Sequence, residues 1–429
     1  MTPEVKKRIE QIRQGIVPEG YKKGKIGIVP IKWNEVPFST LFTSTSEYTD
    51  DLKQYPLYSL TIEDGITAKT ERYERSHLVK KENSYKVVRP NDYAYNPMNI
   101  RFGAVARHKG DIPVAVSGYY DIFTTVHESD LVFMDSFLTY GPMITYYNKV
   151  STGSLVEKQR VHFSDFLEFS LALPPLEERK KIAEILSTQD KAIELQERKI
   201  EELKRFKKGC LERMFPREGQ KVPEKRFPGF TDDWEQRKVS DLAEKTYGGG
   251  TPTTSNEAYW NGDIPWIQSS DVVDGKLLGV EPRKWITQDG LNNSAAQLIP
   301  ENSIAIITRV GVGKLAFMPY SYATSQDFLS LSKLNVEPFF AVYACYKKLQ
   351  SELNAVQGTS IKGITKDELL AKSIMVPRYA EQQQIGAFFK QLDKLITLHQ
   401  RKLDEMKKQK KALMQLLLTG IVKTKGEVR

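Results

Sequence analysis

Two short motifs come near to catalytic chemistry, and neither has all the residues that the chemistry needs. The tetrapeptide NPMN at 96–99 begins like the Asn/Asp-Pro-Pro-aromatic motif that holds an extruded base for amino-group methylation. It lacks the second proline and the aromatic ring. The run GVGK at 311–314 resembles the end of a phosphate-binding loop, but position 308 is Thr instead of Gly and position 315 is Leu instead of Ser or Thr. We therefore predict that this chain carries no catalytic site and binds no nucleotide cofactor.

Metal chemistry is equally poorly supported. The two cysteines, Cys210 and Cys345, lie far apart and are predicted to be free thiols of a cytoplasmic protein. No histidine pair has the spacing of metal ligands, so we predict no metal site. The histidines are His77, His108, His127, His162 and His399.

Polar and basic loops remain as candidates, because Ser, Thr, Asn, Lys and Arg side chains reach phosphates and base edges of DNA. Three such loops lie in the second half of the chain, one of them directly after a glycine run that permits close backbone approach. The alternative is that these are ordinary polar surface loops. The predicted DNA-binding residues of the second half are Thr251, Thr253, Thr254, Ser255, Arg309, Lys314, Thr359, Ser360 and Lys362. Those of the first half form one polar, basic and aromatic cluster of Thr67, Lys69, Thr70, Arg72, Tyr73 and Arg75.

The net charge of +9 is concentrated at one end of the chain. Residues 375–429 hold twelve Lys and Arg against five Asp and Glu, whereas residues 16–171 and 217–374 each carry −1. Affinity for DNA depends strongly on the number of phosphates neutralised, so we expect the chain alone to bind DNA weakly. The composition is that of an ordinary globular protein, and no apolar run is long enough to cross a membrane.

A segment that occurs twice in the sequence is expected to position these loops. Residues 173–215 align without a gap with residues 376–418, at an offset of 203. Each copy has proline near its start, contains no proline within the helical run that follows, and repeats apolar residues every four and three positions. This pattern predicts two long helices, each about 60 Å long, that cannot bury their apolar seams alone. We expect the two helices to pair antiparallel, which gives the chain a pseudo-two-fold axis.

The seam contains both apolar and polar positions. Gln196 and His399 occupy equivalent places and are expected to fix the register of the pair, with contact to a partner protein as the alternative. Lys207 and Lys410 are expected to reach solvent along the helix surface. The apolar residues predicted to form the helix-pairing seam are Ile182, Leu186, Ile193, Ile200, Leu203, Ile385, Phe389, Leu392, Ile396, Leu403 and Met406.

The repeat also sets the domain organisation. Each copy follows a globular segment with Gly- and Pro-punctuated apolar stretches, such as Ile112–Ser117, Leu131–Phe137 and Ser303–Thr308, which favour a mixed α/β domain with short strands. The globular segments share their margins, with Trp33 and Trp234 near equivalent starts, but their interiors do not align. We predict an α+β fold built by tandem duplication. Its parts are an N-terminal helix (1–15), a first globular domain (16–171), a helical spacer (172–216), a second globular domain (217–374), a second helical spacer (375–420) and a basic tail (421–429).

This organisation resembles the specificity subunit of type I restriction-modification systems over nearly the whole chain. The resemblance depends on the duplication, on the Pro-x-x-x-Glu-x-x-x-Ile start of each long helix, and on YGGGTP at 247–252 followed by YWNGDIPW at 259–266. The first globular domain departs from the Gly-Gly-Thr-Pro pattern and has LYSL at 57–60 and GITAK at 65–69 instead.

The resemblance implies a non-catalytic subunit whose two target recognition domains each read one half of an asymmetric bipartite target in double-stranded DNA. It also implies that the helices dock two modification subunits, which use S-adenosylmethionine to methylate adenine. Restriction subunits, with ATP and magnesium in their motor and nuclease parts, complete such a complex. Two other functions stay open on the residues alone: a stand-alone DNA-binding regulator with tandem domains, and a coiled-coil adaptor that makes no contact with DNA.

Overall fold

A computed structural model describes residues 2–69, 84–155, 159–355 and 363–423. The chain divides into two compact units. Unit 1 contains Met1–Leu195 and Leu403–Arg429, and unit 2 contains Gln196–Lys402. Within the described ranges, no helix combines the length and the apolar character needed to span a membrane.

Unit 1 is a mixed α/β unit whose described helices are α1 (Pro3–Arg13), α2 (Leu131–Phe137), α3 (Gly141–Val150), α4 (Phe163–Leu167), the first half of α5 (Leu176–Arg213) and the last part of α9 (Tyr379–Leu418). Its described strands are β1 (Tyr21–Gly24), β2 (Gly27–Pro30), β3 (Asn34–Pro37), β4 (Phe42–Thr45), β5 (Tyr48–Thr49), β6 (Tyr58–Thr61), β7 (Gly65–Ala68), β8 (Tyr85–Val88), β9 (Tyr93–Tyr95), β10 (Val105–Arg107), β11 (Val114–Ser117), β12 (Asp121–Thr125) and β13 (Ser170–Leu173).

Unit 2 repeats this plan with the second half of α5, followed by α6 (Gln288–Asn292), α7 (Pro338–Ala355), α8 (Lys366–Ala371) and the first part of α9 (Tyr379–Leu418). Its described strands are β14 (Glu235–Lys238), β15 (Ala243–Gly248), β16 (Trp260–Ile267), β17 (Lys284–Ile286), β18 (Ser303–Ile307), β19 (Leu315–Met318), β20 (Ala323–Thr324), β21 (Phe328–Leu334) and β22 (Ser373–Val376).

The central sheets of the two units have the same topology. The order is β10-β9-β12-β4 in unit 1 and β19-β18-β21-β15 in unit 2, with every pair antiparallel. In chain order both sheets read third, second, fourth, first. The interiors that show no sequence alignment therefore share the topology of one sheet, because pairing between strand backbones does not require particular side chains. The remaining sheets differ: β11-β8-β5 is antiparallel, whereas β17-β16-β20 includes a parallel pair.

A second shared feature joins each globular part to its long helix. β13 pairs antiparallel with β3 just before α5, and β22 pairs antiparallel with β14 just before α9. Each long helix starts shortly after a proline, which cannot continue a strand ladder but fits the first helical turn. Acidic side chains follow in the first turn of each helix, Glu177 and Glu178 in α5 and Glu381 in α9, where the helix dipole favours negative charge.

The two cores are each built from both long helices. In unit 1, Leu186 from the start of α5 and Leu418 from the end of α9 pack with the aromatic core around Phe38 and Phe166. In unit 2 the ends are exchanged, so that the core contains residues 210 and 211 of α5 together with Ile385 and Phe389 of α9.

The segment Leu131–Phe137 shows one sequence interpretation to be wrong. Its apolar run suggested a strand, but it forms the helix α2. Leu131, Met134 and Phe137 are buried, and they follow each other at intervals of three residues. This spacing places them on one face of a helix and on opposite faces of a strand. A short apolar run does not distinguish the two structures by itself.

Candidate nucleic-acid interface

Three loops of unit 2 lie at the same end of its central sheet. β15 and β18 both pair antiparallel with β21, and the register joins Gly248 to Leu329 and Ile307 to Phe328. The loop after β15, the loop after β18 and the turn before β21 are therefore neighbours. We call this the loop end of unit 2, and it comprises residues 249–256, 308–314 and 325–327.

Backbone hydrogen bonds hold these loops together. The Gly250 amide donates to the Thr324 carbonyl at 2.8 Å, and the Thr308 amide donates to the Asp327 carbonyl at 2.8 Å. The Ile364 amide donates to the Thr308 carbonyl, also at 2.8 Å, which brings the segment at 363–365 to the same place. Elements that are 50 or more residues apart in sequence thus form one surface.

The structure places the predicted DNA-binding residues of unit 2 on this surface or outside the described residues. Thr251, Thr253, Thr254, Ser255 and Arg309 are exposed at the loop end, and Lys314 is half-buried there. Thr359, Ser360 and Lys362 lie outside the described residues. The sequence grouping of these loops by composition therefore coincides with a spatial grouping for the residues that are described.

The glycine run before Thr251 has a structural role in packing against the protein itself. A Cβ atom on Gly249 would lie 1.9 Å from the Ser325 carbonyl oxygen. A Cβ atom on Gly250 would lie 2.2 Å from the Ala295 carbonyl carbon. Close backbone approach was expected at this run, and the structure shows that the approach is to these two loops.

Gln326 is a candidate that the sequence interpretation missed. It is exposed at the loop end, and the Thr251 hydroxyl donates to its side-chain oxygen at 2.6 Å. A glutamine amide can make paired hydrogen bonds with adenine. Ser325-Gln326-Asp327 joins β20 to β21, and its polar composition was the available signal.

In unit 1 the predicted cluster is only partly described. Thr67 is half-buried on β7 and Lys69 is exposed just after it, while Thr70, Arg72, Tyr73 and Arg75 lie outside the described residues. The β6–β7 hairpin borders a cleft of about 630 Å³ whose lining includes Arg107, Lys109, Asp135 and Lys410.

The floor of this cleft is a closed hydrogen-bond network. The Arg107 guanidinium donates to both carboxylate oxygens of Asp135, at 2.9 and 2.8 Å, and the Tyr93 hydroxyl donates to the same carboxylate at 2.8 Å. Burial and the adjacent carboxylate raise the pKa of Tyr93 well above its usual value. These groups satisfy each other, so the floor is structural. The exposed charged groups that line the cleft include Lys109 and the carboxylates Glu63, Asp64 and Asp111.

Contacts between the long helices are antiparallel in each unit. In unit 2, Lys207 pairs with Asp393 at 2.6 Å, and the Gln196 amide nitrogen lies 2.8 Å from both the Nδ1 atom and the carbonyl oxygen of His399. In unit 1, Lys410 pairs with Asp190. Higher numbers in α5 meet lower numbers in α9 in both units. The predicted seam is buried at Ile182, Leu186, Ile193, Ile200, Ile385, Phe389, Leu392 and Leu403, and half-buried at Leu203, Ile396 and Met406.

Lys207 does not reach solvent as expected. Its side chain is 9% exposed, and its ammonium also donates to the Gly275 carbonyl at 3.2 Å. The Tyr343 hydroxyl donates to the same Asp393 carboxylate at 2.5 Å. A buried ammonium needs such partners because its desolvation is costly. Lys207 therefore joins the helix pair to the globular part of unit 2.

Comparison with known families identifies this arrangement. The model of the type I restriction modification DNA specificity domain matches residues 136–205 and 231–408, more than half of the chain. The chain belongs to the type I restriction-modification DNA specificity family.

Curated members of the family cover the chain to different extents. The MjaX specificity subunit of Methanocaldococcus jannaschii is 25% identical over 441 residues, covering 98% of this chain and 93% of that protein. The EcoR124I/EcoR124II specificity subunit of Escherichia coli is 32% identical over 162 residues, covering 36% of this chain and 39% of that protein. The match to the first of these proteins spans both units of the chain.

Solved structures agree on the fold. The S subunit of a type I restriction-modification system from M. genitalium superposes with a TM-score of 0.55 at 11% identity, covering 92% of this chain and 99% of that one. A chain from a study of assembly and conformational transition in a type I restriction-modification system gives a TM-score of 0.54 at 17% identity, covering 92% of this chain and 99% of that one. At these identities, the two similarities show that the chain shares the fold of these structures.

The described residues of this specificity-family chain also bear on metal and thiol chemistry. They contain no group of three or more His, Cys, Asp or Glu side chains able to hold a metal ion. Cys210 and Cys345 are unpaired and buried, and burial raises the pKa of both thiols, to about 12 for Cys345. Both therefore stay protonated and unreactive near neutral pH.

Proposed function

We propose that this chain is the DNA specificity subunit of a type I restriction-modification complex, in which each unit reads one half of an asymmetric, interrupted target. The observation that carries the proposal is the loop end of unit 2. It gathers exposed threonines, Ser255, Arg309 and Gln326 from separate parts of the chain onto one surface. Arginine suits guanine or phosphate, glutamine suits adenine, and hydroxyls suit either.

The chemistry of the complex is assigned to its partners. S-adenosylmethionine belongs to the two adenine methyltransferase subunits, and ATP with magnesium to the restriction subunits. The specificity subunit supplies the choice of sequence. Because its globular segments each carry −1, most of the affinity for phosphates must come from the assembled complex.

Two exposed leucines support docking of two like partners on the helices. Leu195 on α5 is 64% exposed and Leu398 on α9 is 63% exposed, and they are equivalent in the repeat. An exposed leucine costs solvation without helping the helix pair, and the same residue stands at the same place in both copies. We assign this place to the contact with a methyltransferase subunit, one on each helix.

The decisive experiment uses the chain co-purified with the methyltransferase subunit from the same host. Methyladenine mapping of DNA modified by this complex is expected to give two unlike half-sites separated by a fixed spacer. Exchange of residues 16–171 for those of another family member should change one half-site only. A continuous or palindromic target, or a change in both half-sites, contradicts the proposal. The chain alone should transfer no methyl group.

Docking has its own test. Leu195→Asp and Leu398→Asp should each reduce the number of methyltransferase subunits bound from two to one, measured by native mass spectrometry. Leu195→Met and Leu398→Met keep the apolar contact and should retain both. Unchanged stoichiometry in both aspartate variants would place the docking contact elsewhere.

A further inference from the structure

The same three-residue motif occurs at corresponding loops of the two units. Arg101-Phe102-Gly103 lies between β9 and β10, and Arg309-Val310-Gly311 lies between β18 and β19. These strands occupy equivalent places in the two central sheets. Each loop leaves its own central sheet at the corresponding end, because Tyr95 is the last residue of β9 and Ile307 is the last residue of β18.

In both motifs the central side chain is large, apolar and exposed. Phe102 is 51% exposed, and Val310, at 70%, is more exposed than the other large apolar side chains that are described in unit 2. Gly103 has a φ of 98° and Gly311 a φ of 90°, a left-handed conformation that side chains rarely adopt. The glycine therefore turns the chain sharply after the apolar residue and leaves that residue at the tip.

Each loop is braced against a helix. A Cβ atom on Gly103 would lie 3.3 Å from the Ile144 side chain of α3, and the Asn148 amide of α3 donates to the Arg101 carbonyl at 2.6 Å. In unit 2, a Cβ atom on Gly313 would lie 2.2 Å from the Leu353 side chain of α7. Such close packing fixes the loop, so the tip residue is presented in a defined position.

Polar neighbours complete the correspondence. Gln326 precedes β21 at the loop end of unit 2, and Tyr119, which is 45% exposed, precedes β12 at the same end of the unit 1 sheet. The register joins Asp121, the first residue of β12, to Tyr95 at the end of β9. Residues 96–104 and 118–120 therefore correspond to the loop end of unit 2.

We propose that Phe102 and Val310 are equivalent DNA-contacting residues, each packing on the methyl group of a thymine in its own half-site. This proposal rests on the proposed function and adds a reading surface in unit 1, residues 96–104 and 118–120, that composition did not indicate. The thymine methyl is the apolar group that a base presents in the major groove, and aliphatic and aromatic side chains recognise it there. Insertion between bases uses larger side chains than valine, so Val310 favours the methyl contact for both tips.

The test uses the complex with its methyltransferase subunits and a duplex that carries the mapped target. Val310→Ser should weaken binding about tenfold, as expected for loss of a buried valine contact, and Phe102→Ser at least as much. Replacing thymine by deoxyuridine in one half-site removes the methyl group alone. It should weaken binding by the wild-type complex a few fold at one thymine per half-site.

The pairing of variant and half-site makes the test specific. With Val310→Ser, deoxyuridine should have no further effect in one half-site and its full effect in the other, and Phe102→Ser should show the reverse. Val273→Ser and Ile31→Ser are matched controls, because both side chains are 56% exposed and lie outside the two loop surfaces and the cleft of unit 1. Both should bind like the wild type.

Failure of this proposal is distinguishable from failure of the proposed function. Wild-type affinity and an unchanged methylation motif in both serine variants overturn the tip contacts while the bipartite target remains. Weaker binding without any dependence on thymine methyls also overturns them and indicates another mode of contact. If the wild-type complex methylates no bipartite motif, the proposed function itself is wrong. Circular dichroism and thermal unfolding verify that each variant is folded.

Discussion

Two ion pairs between the long helices are equivalent in the repeat but lie in different surroundings. Lys207 and Asp393 in unit 2 have side chains that are 9% and 13% exposed, whereas Lys410 and Asp190 in unit 1 are 26% and 45% exposed. The first pair has additional partners in Tyr343 and Gly275. The second borders the open cleft of unit 1. The repeat contains this ion pair twice, and the surroundings of each copy determine how much it contributes to the free energy of unfolding.

The starts of the helices differ in the same way. Arg179, in the first turns of α5, pairs with Asp130 at 2.8 and 3.2 Å, and both side chains are buried. The equivalent Gln382 of α9 accepts from the Glu337 amide at 2.9 Å and donates to the Pro377 carbonyl at 2.8 Å. Unit 1 thus has a buried ion pair at this position, whereas unit 2 has a neutral glutamine there and pairs the adjacent Glu381 with Arg226 at 2.7 Å. Both arrangements fix the helix to its globular part.

Removal of one carboxylate from each equivalent pair should give the largest contrast. Asp393→Ala leaves the Lys207 ammonium buried without a counterion and should lower the free energy of unfolding by about 3–5 kcal/mol. Asp190→Ala should cost about 0–1 kcal/mol, because Lys410 is hydrated. Urea unfolding and hydrogen exchange of each unit measure the loss of stability in both variants. Equal losses would show that the exposure difference has no energetic consequence.

The seam offers a contrast within one helix. Ile193→Asp places a charge at a position that is 8% exposed and should cost about 3 kcal/mol. Leu195→Asp, two residues along on the outer face, should change the free energy of unfolding by less than about 0.5 kcal/mol. Thermal and urea unfolding of the two variants decide it. A large loss for Leu195→Asp would mean that its exposed side chain stabilises the fold and would undermine the docking assignment.

Gln382 is expected to give a smaller loss of stability than Asp393 or Ile193. Gln382→Ala removes two neutral hydrogen bonds and should cost about 1–3 kcal/mol, mainly by leaving the Pro377 carbonyl and Glu337 amide unpaired. Gln382→Glu is the informative companion, because it keeps the acceptor but loses the donor to Pro377. Its loss should be at least as large, since a buried carboxylate is placed beside a carbonyl oxygen. A neutral result for both would argue that water replaces the side chain.

The long paired helices were predictable because their signals are local sequence patterns. The heptad spacing of Ile182, Leu186 and Ile193, and its repetition at an offset of 203, predicted two long paired helices, and the structure has them. Strand order and ion-pair partners were not predictable, because they depend on contacts between distant segments. Lys207 looked like a solvent-exposed lysine since Asp393 and Tyr343 lie well over 100 residues away in the chain.

The sequence predicted some residues of the candidate interface, but it did not predict all the loops that belong to it. Thr251 and Arg309 belong to loops whose polar residues follow glycines and strands, and these signals are local. Gln326 and the Arg-x-Gly correspondence at Phe102 became visible only with the two sheets in hand, because loops of different length separate the matching strands. The DNA-binding role of all these residues stays a prediction.

The exchange of helix ends between the two cores has a consequence for how such a chain arises. Leu417 and Leu418, from the second copy of the repeat, complete the core of unit 1, and Met214 and Phe215, from the first copy, complete the core of unit 2. A single copy would therefore present an unfilled core and an apolar helix end that fits it. Two identical copies satisfy both at once by reciprocal domain swapping. The tandem chain has the architecture of such a swapped homodimer with its two subunits joined covalently.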